Sequence, residues 1–231
     1  MNITKKILNK VFGYNLHPLF IVSAEETFLN YAQDFNIKRD IDYIRFLAQA
    51  KHEIQFILKD WKRYPRLEEN LNFSDRTLYR YSSYWRANKE ELKELRKQPL
   101  SEQYRVIFNK WYNGRMGNRV DTNDGRTFVG HGSLMITGRA NTIKCLKHIE
   151  EKTNIVCFDV DGKVNHSLFQ RLDIFWLLGF AYWNLNGLHK CRGTDCVTNK
   201  VNKGLPKKDK DRRLKTAIYL KKELLSTTKL I

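Results

Sequence analysis

The chain has 231 residues, 42% of them hydrophobic and 13% aromatic, which suits one domain with a substantial core and excludes a disordered chain. Its formal charge of +17 points to a negative partner: nucleic acid, anionic lipid or the anionic polymers of a bacterial envelope. A Lys-rich composition with solvated faces accounts for part of that charge.

In chain order, residues 3–13 read as a first helix, with Ile3, Ile7, Leu8 and Val11 on one face. The opening charges resemble a signal-peptide start, but no apolar stretch or cleavage site follows, so a cytoplasmic product is expected. After a loop with Pro18, a helix is expected from about Ala24 to Asp34. Asp40 should cap the next, a central buried helix whose apolar residues recur at three and four positions; it should end before Tyr64-Pro65.

Ser74-Asp75 caps a further helix, residues 89–97 form another that Pro99 ends, and Gln103–Tyr112 is amphipathic. Between 113 and 133 five glycines sit among polar residues, the pattern of backbone that turns tightly, and a cleft wall is expected there. Thr137–Lys152 reads as helical and Leu168–Leu188 as a long apolar helix, too short in its Phe175–Tyr182 run to span a bilayer. From Lys200 the chain is basic and closes on an amphipathic helix, with the Lys207–Arg213 run read as a solvent-facing loop. Cys191 and Cys196 lack a second matching pair, so no zinc site is expected. All four cysteines are expected as free thiols, one small disulfide loop being the alternative outside the cytoplasm.

A carboxylate within an apolar helix is the most informative single feature. Burial disfavours the charged form and can keep a carboxyl protonated near neutrality, as a general acid requires. Glu53, beside His52, fits that description; the competing reading, which the pattern alone favours, is an ordinary salt-bridged glutamate at a helix end. Glu68 or Glu69 is the second carboxylate candidate; alone, either could equally decorate a helix start.

Several segments carry a resemblance. Phe46-Leu47-Ala48-Gln49-Ala50-Lys51-His52-Glu53 is similar to the FLAQxxHE block of glycoside hydrolase family 19, the chitinase and phage-endolysin family. Glu69-Asn70-Leu71-Asn72-Phe73-Ser74 resembles the ENLNYS block of its lysin branch, and Tyr112–Asn118 the YANRMGN block. The stretch from Asp124 to Asn141 follows DGxxYRGRGxIQxTGRxN, and Val197–Gly204 is similar to VTxxINGG. The five blocks stand in the family's order through most of the chain.

The resemblance implies a mainly α, lysozyme-like, two-lobed fold with a cleft between lobes, formed by residues 1–231 as one domain. It implies a peptidoglycan-degrading glycosidase, an endolysin or antibacterial lytic effector working by inversion; chitinase, or a catalytically weakened glycan-binding homologue, is the alternative. It assigns Glu53 as general acid, Glu69 as general base with Glu68 as rival, and Thr137 as the hydroxyl that helps hold the water. Asn141 and Asn202 fall on substrate-binding amides, and His52, His131 and Met135 on the same substrate-binding surface.

The sequence also departs from the family pattern. Ile54-Gln55-Phe56 follow His52-Glu53 in place of small residues, and an insertion around Lys59–Pro65 sets the carboxylates sixteen positions apart. His131 replaces an arginine, an always-charged fork, by a titratable ring. Met135 replaces a sugar-binding glutamine by a thioether that has lost its donors.

The expected partner is cell-wall peptidoglycan, with non-specific contacts to the anionic envelope. No cofactor, metal, specific nucleic acid or transmembrane segment is expected, and the chain should act as a monomer. The product should reach the wall in the periplasm after release or export.

Overall fold

The first helices show how local signals shape the chain. The Thr4 hydroxyl accepts from the Ile7 amide and starts α1 (Lys5–Phe12); Gly13, at φ 101°, ends it. α2 (Pro18–Tyr31) begins six residues earlier than its apolar pattern predicts. Pro18 stands at the first position of the helix, where its missing N–H costs nothing, and His17 Nδ1 accepts from the Leu19 amide.

The computed structural model describes residues 1–13, 16–59, 67–69 and 72–225. The expected helix end before Tyr64-Pro65, the insertion up to Pro65, and Asn70 and Leu71 of the lysin-type block lie outside the described residues.

Among the described residues the fold is mainly α, with twelve α-helices, short 3₁₀ turns and isolated β-bridges. α3 (Asp40–Lys59) buries Ile44, Phe46, Leu47, Ala48, Ala50 and Ile54. α4 (Asp75–Tyr81) starts at Ser74, whose hydroxyl accepts from the Thr77 amide as expected. α5 (Ser83–Ala87), α6 (Lys89–Leu95) and α7 (Leu100–Tyr112) follow, then the single turn α8 (Asp124–Thr127). α9 (Arg139–Thr153) begins after Gly138, at φ 91°, two residues later than expected.

The expected 168–188 helix divides: a 3₁₀ turn at His166–Gln170 is separated from α10 (Leu172–Leu185) by Arg171, whose backbone is extended. α11 (Thr194–Val201) and α12 (Lys207–Leu225) complete the chain. The Lys207–Arg213 run is therefore not a solvent-facing loop. It forms the first turns of α12, and Arg213 is buried because its opposite face packs on α3. Nor are all four cysteines free. Cys191, just ahead of α11, forms a disulfide with Cys196 in the first turn of that helix; Cys145 and Cys157 remain thiols.

α10 is apolar all round, as a helix enclosed on all sides must be. It packs against α2 and α9, while α12 packs against α3. Phe28 meets Phe180 edge-on with ring centroids 4.8 Å apart, and Phe46 meets Phe180 at 5.2 Å. Such pairs contribute about 0.5–1.5 kcal/mol beyond their buried area.

A second, smaller cluster gathers Leu78, Trp85, Leu92, Ile107, Phe108 and Val129 from α4 to α7 and the glycine-rich segment. Arg96 ties its edge together, donating to Asp75, to the Gln103 side chain and to the Phe73 carbonyl. No helix among the described residues is long and apolar enough to cross a membrane.

Candidate active site

The two clusters meet at an open cavity of about 630 Å³, within the range of small-ligand pockets. Phe73 and Tyr112 reach it from the smaller cluster and Met135 from the larger. His52, Glu53, Glu69, Thr137 and Asn202 also line it, so six of the eight residues singled out in the sequence share one surface.

Glu53 and His52 stand side by side on α3, where one turn of helix separates them from Gln49. Glu53 is 17% exposed and its Oε1 accepts from Arg213 Nη2 at 2.7 Å; the arginine side chain is 5% exposed. The other Arg213 terminal nitrogen donates to Gln49 Oε1 at 2.8 Å, and Gln49 Nε2 donates to the Thr198 hydroxyl. Of the two readings of Glu53, a carboxyl isolated in apolar surroundings and a salt-bridged glutamate, the structure shows the salt-bridged one, at the end of a chain of polar contacts joining α3, α11 and α12. His52 Nε2 lies 2.9 Å from the Thr216 hydroxyl. Burial, reinforced by Arg213 and Lys51, lowers its pKa to about 4, so the ring is neutral at physiological pH.

Glu69 is positioned by backbone. Its amide donates to the Gly130 carbonyl at 2.7 Å, and the Gly130 amide donates back to Glu69 Oε2 at 3.3 Å. Burial raises the Glu69 pKa above the ordinary carboxylate value, and the charges of Glu53 and Glu68 act in the same direction; the Gly130 hydrogen bond opposes them. Glu68 faces elsewhere, in a two-pronged ion pair with Arg126 at 3.0 and 3.1 Å. Of the two neighbouring glutamates, Glu69 alone lines the cavity. Burial also raises the Tyr112 phenol, with the Glu69 charge adding to the shift, which keeps it a neutral hydroxyl.

The glycine-rich segment 113–133, expected as a cleft wall, lies behind the cavity and contributes none of its lining residues; Tyr112, Met135 and Thr137 on its flanks do. Asparagines brace the segment. Asn113 accepts from the Gly125 amide and donates to the Thr122 carbonyl, while Asn118 donates to the Tyr112 carbonyl and accepts from the Arg139 amide. Gly117 is held at φ 78°, where a Cβ would stand 2.6 Å from that of Ala140, so only glycine fits. Met135, at φ 50°, carries a left-handed backbone without being glycine. Its carbonyl accepts from the Thr137 hydroxyl at 3.2 Å.

Two of the predicted residues lie elsewhere. His131 is 4% exposed, stacks on Phe169 with centroids 4.2 Å apart, and holds the Thr127 carbonyl through Nε2. A ring enclosed in this way supports the wall from behind and cannot touch a ligand in the cavity. Asn141 sits exposed on the first turn of α9, where its side chain donates to the Thr137 carbonyl; it steadies Thr137 and does not line the cavity.

Sequence reading missed Arg213, Tyr112 and Phe73 as site residues, and with them Asp209 and Arg212 at the rim. Tyr112 and Phe73 stand inside the matched blocks, a signal that could have found them; Arg213 lies 160 residues from Glu53 and carries none. Among the described residues, no group of three His, Cys, Asp or Glu side chains is arranged to hold a metal ion. No protein-family model matches the chain, and no curated protein matches it.

Proposed function

We propose that the chain is a peptidoglycan-cleaving glycosidase of lysozyme-like, two-lobed architecture, with Glu53 and Glu69 as its acid–base pair. The observation that carries this reading is the meeting of two glutamates, one from a helix and one from the irregular segment sixteen positions on, on one open cavity in unlike environments. Glycoside hydrolysis by inversion requires such a pair, one carboxyl to protonate the departing oxygen and one to activate water. Phe73 and Tyr112 offer flat faces to sugar rings, and Asn202 an amide.

In this mechanism Glu53 is the acid. Because Arg213 donates to Oε1, a proton on Glu53 is carried by Oε2. Glu69 is the base, and its raised pKa makes it a stronger proton acceptor once ionised. Thr137, fixed by Met135 and Asn141, stands at the same surface to hold the water. The net charge of +17 suits an anionic wall, which the protein reaches after release or export. The replaced arginine at His131 does not argue for a weakened binder, since that side chain is behind the wall.

The Glu53–Arg213 ion pair and the burial of Glu69 favour a second reading in which the roles are exchanged, Glu69 as the acid and Glu53 as the base. An aryl glycoside with an activated leaving group separates the two. The variant lacking the acid keeps activity on it, and the variant lacking the base is rescued by azide. For the function itself, mass spectrometry of fragments released from purified sacculi is decisive. New reducing ends with the wild type and none with Glu53→Gln are expected; equal release by both would overturn the proposal.

A further inference from the structure

The α12 wall of the cavity continues beyond it. Arg212 stands at the rim, in a row with Lys208, Lys215 and Tyr219 along the outer face of the helix. Their spacings of four, three and four residues align the side chains, opposite the buried row of Arg213, Ala217 and Leu220. All four are exposed, Tyr219 at 48%. At 1.5 Å per residue the row runs for about 16 Å. Asp211 is the acid exposed on that side, and Arg212 shares its guanidinium with Asp209 at 3.2 Å; the row remains cationic.

We propose that this row extends the substrate groove and grips a carboxylate-bearing glycan strand, the acidic groups of its stem peptides meeting Lys208, Arg212 and Lys215 and a sugar face meeting Tyr219. The inference rests on the glycosidase reading and specifies its substrate: a polymer with acids along its length, unlike neutral chitin. Each exposed contact is weak by itself, but contacts made by one strand reinforce each other and are screened by salt. A bilayer is the poorer occupant. A helix lying in a membrane turns a broad apolar face to the lipid, whereas α12 packs its apolar face on α3 and exposes Ile218 and Tyr219.

The test is co-sedimentation with purified sacculi, native or with their carboxyls amidated, over a series of NaCl concentrations. It uses Glu53→Gln protein with and without K208E/K215E, neither lysine lining the cavity. Binding of the parent should be about tenfold tighter to native than to amidated sacculi and fall with salt. K208E/K215E should lose that preference while keeping its thermal midpoint and its binding to amidated sacculi. Native binding equal to the parent's would overturn the proposal, as would an equal loss on both kinds of sacculi. So would a K208E/K215E defect confined to phosphatidylglycerol vesicles. If the wild type releases no fragments but the preference for native sacculi stands, the glycosidase reading falls and the binding row survives.

Discussion

The two walls of the cavity hold their carboxylates by opposite means. On the helical wall, Glu53 is fixed by side chains, through Arg213 to Gln49 and Thr198, on elements that pack as regular helices. On the irregular wall, Glu69 is fixed by backbone, in a reciprocal contact with Gly130. A charge partner holds one carboxyl and burial raises the pKa of the other, so two identical side chains stand in environments that suit different roles.

The largest effects should come from removing either member. Glu53→Gln and Glu69→Gln should each lower kcat on sacculi by about 10²–10⁴-fold, the range of general acid–base catalysis, while Glu68→Gln should leave it near the wild-type value. Comparable loss from all three would mean that the contrast between the neighbouring glutamates is not functional.

Next in size is the cation itself. Arg213→Ala leaves Glu53 and Gln49 without their buried partner and should destabilise the fold by about 3–5 kcal/mol in urea unfolding, as for other broken buried pairs. A change below about 1 kcal/mol, the value of an exposed pair, would show that α12 does not anchor the helical wall.

The smallest effects are in pH dependence. His52, lowered to about 4 in the fold from an ordinary value of 6.5, binds fewer protons folded than unfolded between those values. Stability should therefore fall as pH drops through that window, and His52→Gln should flatten the slope. Glu69 has the opposite sign. Its raised pKa means the folded state binds more protons, so its contribution is full below the ordinary carboxylate value and is lost as pH rises through the raised one. Glu69→Gln should gain stability over the wild type at neutral pH and lose that advantage in acid, as read by thermal midpoints. Identical midpoints across pH would remove burial as the cause.

Much of this was legible in the sequence where the signal is local. Ser74 starts a helix through its hydroxyl and Pro18 through its fixed backbone, although Pro18 reads as loop in the sequence because the apolar rhythm becomes plain only after it. Glycine density pointed close to the cavity but not onto it: Tyr112, Met135 and Thr137 at the edges of the 113–133 segment line the cavity, and no residue within the segment does. Charge density misled: Lys207–Arg213 looks like solvated loop, yet helices accommodate charged faces, and one of those arginines turns inward to a carboxylate 160 residues away. His131 was misplaced because an altered motif residue reads the same from sequence whether its ring faces the ligand or a phenylalanine behind the wall. The Cys191–Cys196 bond depends on how the chain turns before α11, which spacing alone leaves open.

Cys145 and Cys157 are buried, and burial pushes their thiols up to about 12 and about 11. Few of them exist as the nucleophilic thiolate at neutral pH. They should ignore an alkylating reagent while the protein is folded and react once it opens, so the rate of iodoacetamide labelling at these two positions is a built-in clock for unfolding.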